Sequence, residues 1–294
     1  MAKAYLFAGQ AAQFVGMGSM LKSKYPSYFD KAAAIMGFDL GAIMINGPEE
    51  ALKETINTQP AVFLHSFLVW LDHKSNEANP DALAGHSLGE LTALVIAGVL
   101  SFEDGMKLVK CRAESMQMAC EQNPSTMAAI LGMDDVVVES ICDDIDDIVV
   151  PANYNCPGQL VISGSKSGID TAIEACKEKG ARRALEIPVG GAFHSPLMEP
   201  AVARFASEVS ATQFNNAQIP VYQNVTAQSV TSAEDIKTNL INQITSPVRW
   251  TETINNMIGA GISEFVEIGG KGRILQGMVR KVSREVETKV WVEE

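Results

Sequence analysis

Cysteine is scarce and unpatterned in this sequence. The five cysteines (Cys111, Cys120, Cys142, Cys156 and Cys176) are odd in number and form no C-x-x-C pair, so neither a disulfide framework nor a zinc knuckle is expected. Positive charge is also short: 23 Lys plus Arg stand against 35 Asp plus Glu, a formal net charge of −12. That deficit argues against broad nucleic-acid binding, and an acidic partner would need a local basic patch. No apolar run approaches the roughly 18 residues that span a bilayer; the longest lies around 93–100. The apolar stretch between Lys3 and Gly9 is too short for the core of a secretory leader. The expectation is a cytoplasmic protein with no membrane and no nucleic-acid partner. With 47% hydrophobic residues over 294 positions, the chain can bury a large core and has length for about two domains.

Hydrophobic patterning and breakers divide the chain. Ala4 to Phe7 reads as a short buried strand, ended by Gly9, and 28–36 as a helix. Thr58 reads as an N-cap, with Pro60 in the first turn of an apolar helix. A brief strand at Ala82 to Ala84 runs into the tight turn 85–89 and a helix from Glu90. Ser101 and Asp104 form a capping box at the start of a long helix that should reach the Asn123-Pro124 break. From Met127 to Val189 the pattern becomes β-α-β-β-α-β, the order of a ferredoxin-like unit. The expected fold class is therefore α/β: a hydrolase-like domain with a mostly parallel sheet, formed by 1–125 and 191–294. A small ferredoxin-like domain, 126–190, is inserted into it.

Gly85-His86-Ser87-Leu88-Gly89 matches G-x-S-x-G between a strand and a helix, the setting in which a strained turn projects the serine hydroxyl. The following helix N-terminus adds backbone N–H groups and positive dipole beside Ser87. A short glycine-rich turn can arise by chance, but the strand-turn-helix context favours a nucleophile. An oxyanion hole takes one N–H from the residue after the nucleophile and one from another strand's exit loop, which nominates Leu88 and Gln10. A serine nucleophile needs a base, and there are four histidines. His65 and His73 fall in or beside an apolar helix, and His86 adjoins the nucleophile. By elimination His194, in the Gly- and Pro-bounded segment Gly191 to Pro196 at the domain junction, is the candidate base.

Together these segments resemble the malonyl-CoA:acyl carrier protein transacylase family, over essentially the whole chain. The likeness runs through Phe7-Ala8-Gly9-Gln10, Thr58 to Ala61, the Gly85 to Glu90 elbow and Arg112. It continues through Asn153 to Gln159, Ala192 to Pro196, Ser246 to Trp250 and Gly269 to Gly272. It implies two-step transfer of malonyl from malonyl-CoA, through a malonyl-Ser87 intermediate, to the phosphopantetheine thiol of acyl carrier protein in fatty-acid elongation. It implies no permanently bound cofactor, no metal and a monomer. A Ser87–His194 dyad would be oriented by a backbone carbonyl, assigned to Arg249.

Arg112 is the expected substrate selector, because a guanidinium fork matches the malonyl carboxylate and would be left buried and unpaired by an uncharged acyl group. Phe193 resembles the residue that excludes an α-methyl substituent. Asn155 and Gln159 are pocket-lining candidates, although Asn-Cys-Pro-Gly also reads as plain turn chemistry. An acidic carrier would dock on basic surface, with Lys271, Arg273, Arg280, Lys281, Arg284 and Arg182-Arg183 as candidates; ordinary solvated charge explains them equally well. Two departures stand out: Ala8 and Ala11 occupy positions where the family usually has Pro and Gly. Ala11 asks that its backbone stay out of the left-handed region.

Other features carry less. The acid run Asp143 to Asp147 lacks the glycine and spacing of a calcium loop, and Gly269-Gly270-Lys271-Gly272 lacks the Ser or Thr of a phosphate-binding loop. Two alternatives use the same dyad: an acyltransferase serving a polyketide assembly line in trans, and a thioester hydrolase with water as acceptor. A non-catalytic scaffold would be expected to have lost Ser87 or His194.

Overall fold

A computed structural model describes residues 2–76 and 78–293. Ten strands are present among them: β1 (Ala2–Phe7), β2 (Ala82–Gly85), β3 (Ser125–Leu131), β4 (Val149–Cys156) and β5 (Gln159–Ser165), followed by β6 (Arg183–Ile187), β7 (Val221–Tyr222), β8 (Ser229–Val230), β9 (Ile262–Ile268) and β10 (Glu287–Trp291). Six form one sheet in the order β10-β9-β1-β2-β7-β8, parallel throughout except for the β7–β8 edge pair. β1 and β2 lie side by side at its centre, with Phe7 opposite Gly85, so the loops leaving their carboxyl ends emerge next to each other. Both strands are almost wholly buried and carry no charge after Lys3, as expected of parallel strands covered on both faces.

β3 to β6 form a second, antiparallel sheet in the order β4-β5-β3-β6. Helices Asp135–Asp143 and Lys166–Glu178 cover one face and enclose a separate cluster that includes Ile130, Val138, Ile141, Leu160, Ile162 and Ile169. The other face turns toward the large core, which takes in Met127, Ala152 and Val161. Tyr154 N–H donates to the Val248 carbonyl at 3.0 Å and Val248 N–H to the Ala152 carbonyl at 2.8 Å, so β4 is stitched directly to the larger unit. No helix among the described residues is long and apolar enough to cross a membrane.

The local readings hold at most elements. Ser101 Oγ accepts the Asp104 N–H at 3.0 Å and caps the Phe102–Gln122 helix. The exception is Thr58. The helix runs Thr55–His73, so Thr58 and Pro60 lie inside it, and Thr58 Oγ donates to the Leu52 carbonyl rather than capping. Pro60 stands at the sixth helical position, past the first turn, and removes one intrahelical donor there.

Candidate active site

The turn after β2 is tight because its glycines leave no room for anything else. A Cβ on Gly85 would lie 1.9 Å from the Gly89 carbonyl carbon, and one on Gly89 would lie 2.0 Å from the Phe7 oxygen. Ser87 sits at the apex with φ 51°, a left-handed conformation that costs a serine about 1 kcal/mol or more and needs outside support. That support comes from two later segments. Asn224 Oδ1 accepts the Ser87 N–H at 2.7 Å, and its Nδ2 donates to the Gly85 carbonyl at 2.7 Å. Gln243 Nε2 donates to the Ser87 carbonyl at 3.2 Å.

His194 also has a positive φ, 58°, and its ring is buried against the serine. His194 Nε2 lies 2.7 Å from Ser87 Oγ, and Nδ1 lies 2.9 Å from the Gln243 carbonyl. The carbonyl can only accept, so Nδ1 carries the hydrogen and Nε2 is free to take the serine proton. Burial and the neighbouring Arg112 charge lower the His194 pKa to about 3, which keeps the ring neutral at physiological pH.

Arg112, fully buried on the Phe102–Gln122 helix, completes the cluster. Nη2 donates to Ser87 Oγ at 3.1 Å and to Gln243 Oε1 at 2.9 Å, while Nη1 donates to Gln59 Oε1 at 2.8 Å. Its Nε has no partner among the described residues. Burial lowers the Arg112 pKa to about 10, opposed by the charge of Glu90, and leaves it a cation. Because Arg112 occupies one lone pair of Ser87 Oγ, the hydroxyl hydrogen is left to point at His194.

The loop after β1 provides the remaining polar groups. A Cβ on Gly9 would stand 2.6 Å from the His86 carbonyl and 3.7 Å from Leu88 N, so this loop lies against the elbow. Among the described residues, the N–H groups of Gln10 and Leu88 have no hydrogen-bond partner, as two donors awaiting an oxyanion would be. The Gln10 side chain turns to Thr55 and Gln59, 3.4 Å away in each case.

Ser87, His194 and Arg112 thus share one hydrogen-bond cluster, with the loop that carries Gln10 lying against the elbow, and four other readings change. The carbonyl that orients His194 belongs to Gln243, not Arg249; the Arg249 carbonyl is taken by Thr253 at the start of the Trp250–Gly259 helix. Asn155 accepts from His86 Nε2 at 2.8 Å, beside Trp250, and so acts on the residue before the nucleophile. Gln159 accepts from Lys281 and Cys156 and joins none of the site's hydrogen bonds. Ala11 has φ 79°, inside the region it was expected to avoid. Phe193 is buried beside His194, with its carbonyl held by Ser163 Oγ at 2.6 Å.

Four polar residues were missed in these roles: Gln59 and Glu90, which fall within the Thr58 to Ala61 and Gly85 to Glu90 segments, and Asn224 and Gln243, which fall within none. Glu90 also stands out as the single charge of the Gly89–Ile96 helix. Glu90 is fully buried, and desolvation raises its pKa to about 7. Metal-ligating clusters are absent among the described residues.

Residues 4–292 match the acyl transferase domain family. The chain is 43% identical over 291 residues to the malonyl CoA-acyl carrier protein transacylase of Bacillus subtilis (strain 168), covering 97% of this chain and 92% of that one. Among solved structures it resembles the malonyl CoA-acyl carrier protein transacylase of Coxiella burnetii, with a TM-score of 0.94 at 36% identity over 99% of this chain and 94% of that one. It is equally similar, at a TM-score of 0.94 and 36% identity over 99% and 96% of the two chains, to a malonyl-transacylase in complex with its type II PKS acyl-carrier protein.

Proposed function

The chain belongs to the malonyl-CoA:acyl carrier protein transacylases of the acyl transferase family, and from that premise we propose how its own residues carry the reaction. The enzyme transfers malonyl from malonyl-CoA to the phosphopantetheine thiol of acyl carrier protein. Ser87 Oγ attacks the thioester carbonyl while His194 Nε2 takes its proton. The N–H groups of Gln10 and Leu88 receive the developing oxyanion; one such donor is typically worth about 2.7–4 kcal/mol in the transition state. His194 then protonates the leaving coenzyme A thiolate, and malonyl remains on Ser87. The carrier thiol repeats the sequence in reverse, giving up its proton to His194. The observation that carries this reading is the 2.7 Å contact of Ser87 Oγ with a His194 ring whose other nitrogen is fixed on the Gln243 carbonyl. The dyad needs no acid, since a backbone carbonyl fills that post.

Arg112 selects the acyl group. Its buried fork already reaches Ser87 Oγ, so a malonyl carboxylate on Ser87 would meet it with little rearrangement. Phe193 packs the wall beside His194, where an α-substituent would collide. The antiparallel unit fits a ferredoxin-like insertion, with 1–125 and 191–294 forming the hydrolase-like domain; its β-α-β-β-α-β order, its strand order and its separate core support that division. The acidic chain must meet its carrier through local basic surface. Arg280, Lys281 and Arg284 line a cavity of about 560 Å³, and Lys281 reaches the β4–β5 hairpin whose Asn155 holds His86. We read the enzyme as a monomer that needs no resident cofactor.

Intact-mass analysis after exposure to malonyl-CoA tests the assignment. A malonyl adduct on Ser87 that persists until holo carrier protein is added is expected; rapid release of free malonate without carrier would favour the hydrolase. The Arg112→Ala enzyme should lose the malonyl adduct and keep or gain the acetyl adduct from acetyl-CoA. Equal loss of both would remove Arg112 from substrate choice.

A further inference from the structure

Glu90 is a fully buried carboxylate next to the elbow's last glycine, and one of its hydrogen-bond paths, through Asn224, leads to Ser87 and by way of Gln243 to Arg112. Its Oε2 accepts the Asn224 N–H at 2.7 Å and its Oε1 accepts Gln223 Nε2 at 3.1 Å. Asn224 in turn holds the Ser87 N–H and the Gly85 carbonyl, and Gln243 Nε2 reaches both the Ser87 carbonyl and Asn224 Oδ1, the latter at 3.4 Å. The far end of the same Gln243 amide accepts from Arg112. Arg112 has no direct ion pair among the described residues; its hydrogen-bond partners Gln59, Gln243 and Ser87 are all neutral.

We propose that Glu90 is a positioning residue with two linked roles: through Asn224 it fixes the backbone of the nucleophile, and across the Gln243 amide it supplies the negative charge that balances Arg112 until an acyl carboxylate arrives. This rests on the reading of Arg112 as the carboxylate-binding group. When malonyl binds, two anions share one buried cation, and the enzyme's own carboxylate is the one that can give way by taking a proton. Acetyl brings no second anion and makes no such demand.

Arg112 is the charge that bears on Glu90. The segments carrying Gln223, Asn224 and Gln243 face it with amides. Its own helix has no second ionisable side chain, and β2 has none. On the other elements packed against it, Lys3 pairs with Glu264, Tyr5 donates to the Ala78 carbonyl, His65 accepts from Gly270 and His86 bonds Asn155. The rise of the Glu90 pKa to about 7 fits a carboxylate able to change state near neutrality.

The test compares malonyl-CoA with acetyl-CoA on the whole enzyme and on Glu90→Gln and Glu90→Asp. In the parent enzyme, KM for malonyl-CoA should rise about three- to tenfold between pH 6 and 8 as Glu90 ionises, while KM for acetyl-CoA follows only changes common to both donors, such as those of the coenzyme phosphates. Glu90→Gln should abolish that difference and lower the malonyl KM at pH 8, and should lower kcat for both donors by a similar factor of about ten because Asn224 is held less firmly. Glu90→Asp should restore the pH dependence of the malonyl KM. Parallel KM profiles for the two donors in the parent enzyme would overturn the charge role even if no variant folds, and an unchanged kcat in a folded Glu90→Gln would overturn the positioning role. Failure of malonyl-CoA to label Ser87 at all would instead defeat the functional reading on which this rests.

Discussion

Two loops leave adjacent strands of the central sheet, and both contain a non-glycine residue in the left-handed region. In the loop after β2 that residue is Ser87, with φ 51°; in the loop after β1 it is Ala11, with φ 79°. Ser87 is bracketed on both sides of its peptide by Asn224 and Gln243, which arrive from segments more than a hundred residues away. Ala11 is exposed, and its N–H is satisfied only by the Gln13 side chain two residues on, at 2.8 Å. The same backbone strain is therefore over-determined in one loop and merely tolerated in the other. The difference teaches where strain carries function: strain that distant side chains converge to support is tied to chemistry, while strain resting on a neighbour is a local cost.

The hardest blow to this contrast is struck at the group the elbow presents. His194→Ala should lower malonyl transfer by about 10⁴ or more while leaving the fold intact, since the ring is the only base at Ser87 Oγ among the described residues. Stopped-flow or quenched transfer assays read this directly. A loss below about tenfold would mean that the elbow's strain serves something other than this dyad.

Asn224→Ala addresses the support itself. It strips two bonds from the turn and leaves the Ser87 N–H and Gly85 carbonyl buried without partners, at about 1–3 kcal/mol each. We expect a drop of a few kcal/mol in unfolding free energy by denaturant titration, and about a hundredfold loss in kcat through misplacement of Oγ. Loss of stability with full kcat would reduce the bracket to ordinary scaffolding and erase the distinction between the two loops.

The pH dependence sharpens the same point more gently. A histidine with an ordinary pKa keeps only about 3% of its neutral form at pH 5. His194, lowered to about 3, stays neutral there, so single-turnover acylation of Ser87 should persist well below pH 6. The sign for stability is the reverse of comfort: the unfolded chain takes up a proton on this histidine below about pH 6.5 and the folded one does not, so stability falls as pH drops through that range. Acylation that halves near pH 6.5 would show His194 to be solvated and the elbow to be open to water.

What could be read from the sequence divides along the same line. Ser87 and His194 were legible from the elbow pattern and from elimination among four histidines, whereas Arg112 was legible only through the family resemblance. The bracket was not legible, because Asn224 and Gln243 work as amides outside any recognisable segment, brought in by tertiary folding. Arg249 was mistaken for Gln243 for a related reason: a backbone carbonyl leaves no mark in the sequence, and the resemblance placed it in the Ser246 to Trp250 segment, which begins three residues beyond the carbonyl that reaches His194. The fold was more legible than the site, since parallel buried strands and the β-α-β-β-α-β order follow from hydrophobic period and breakers. Thr58 misled because a threonine before a proline looks like a helix start even when the helix began a turn sooner.

The smallest effect tests the other loop. Ala11→Gly removes the Cβ that makes φ 79° unfavourable, which should gain about 1–2 kcal/mol in the folded state. Against that, glycine gives the unfolded chain more freedom, at about 0.4–1 kcal/mol. Ala11 is exposed, so no packing is lost and the net change should be stabilising, roughly 0.5–1 kcal/mol or a rise of about 1–3 °C in Tm. Because Gln10 keeps its place against the elbow, kcat should not move. A variant that melts lower would mean that Ala11 is held by more than the Gln13 side chain. A variant that melts higher but turns over more slowly would show that the strained alanine helps aim the Gln10 N–H, and the strain in the two loops would then serve one reaction.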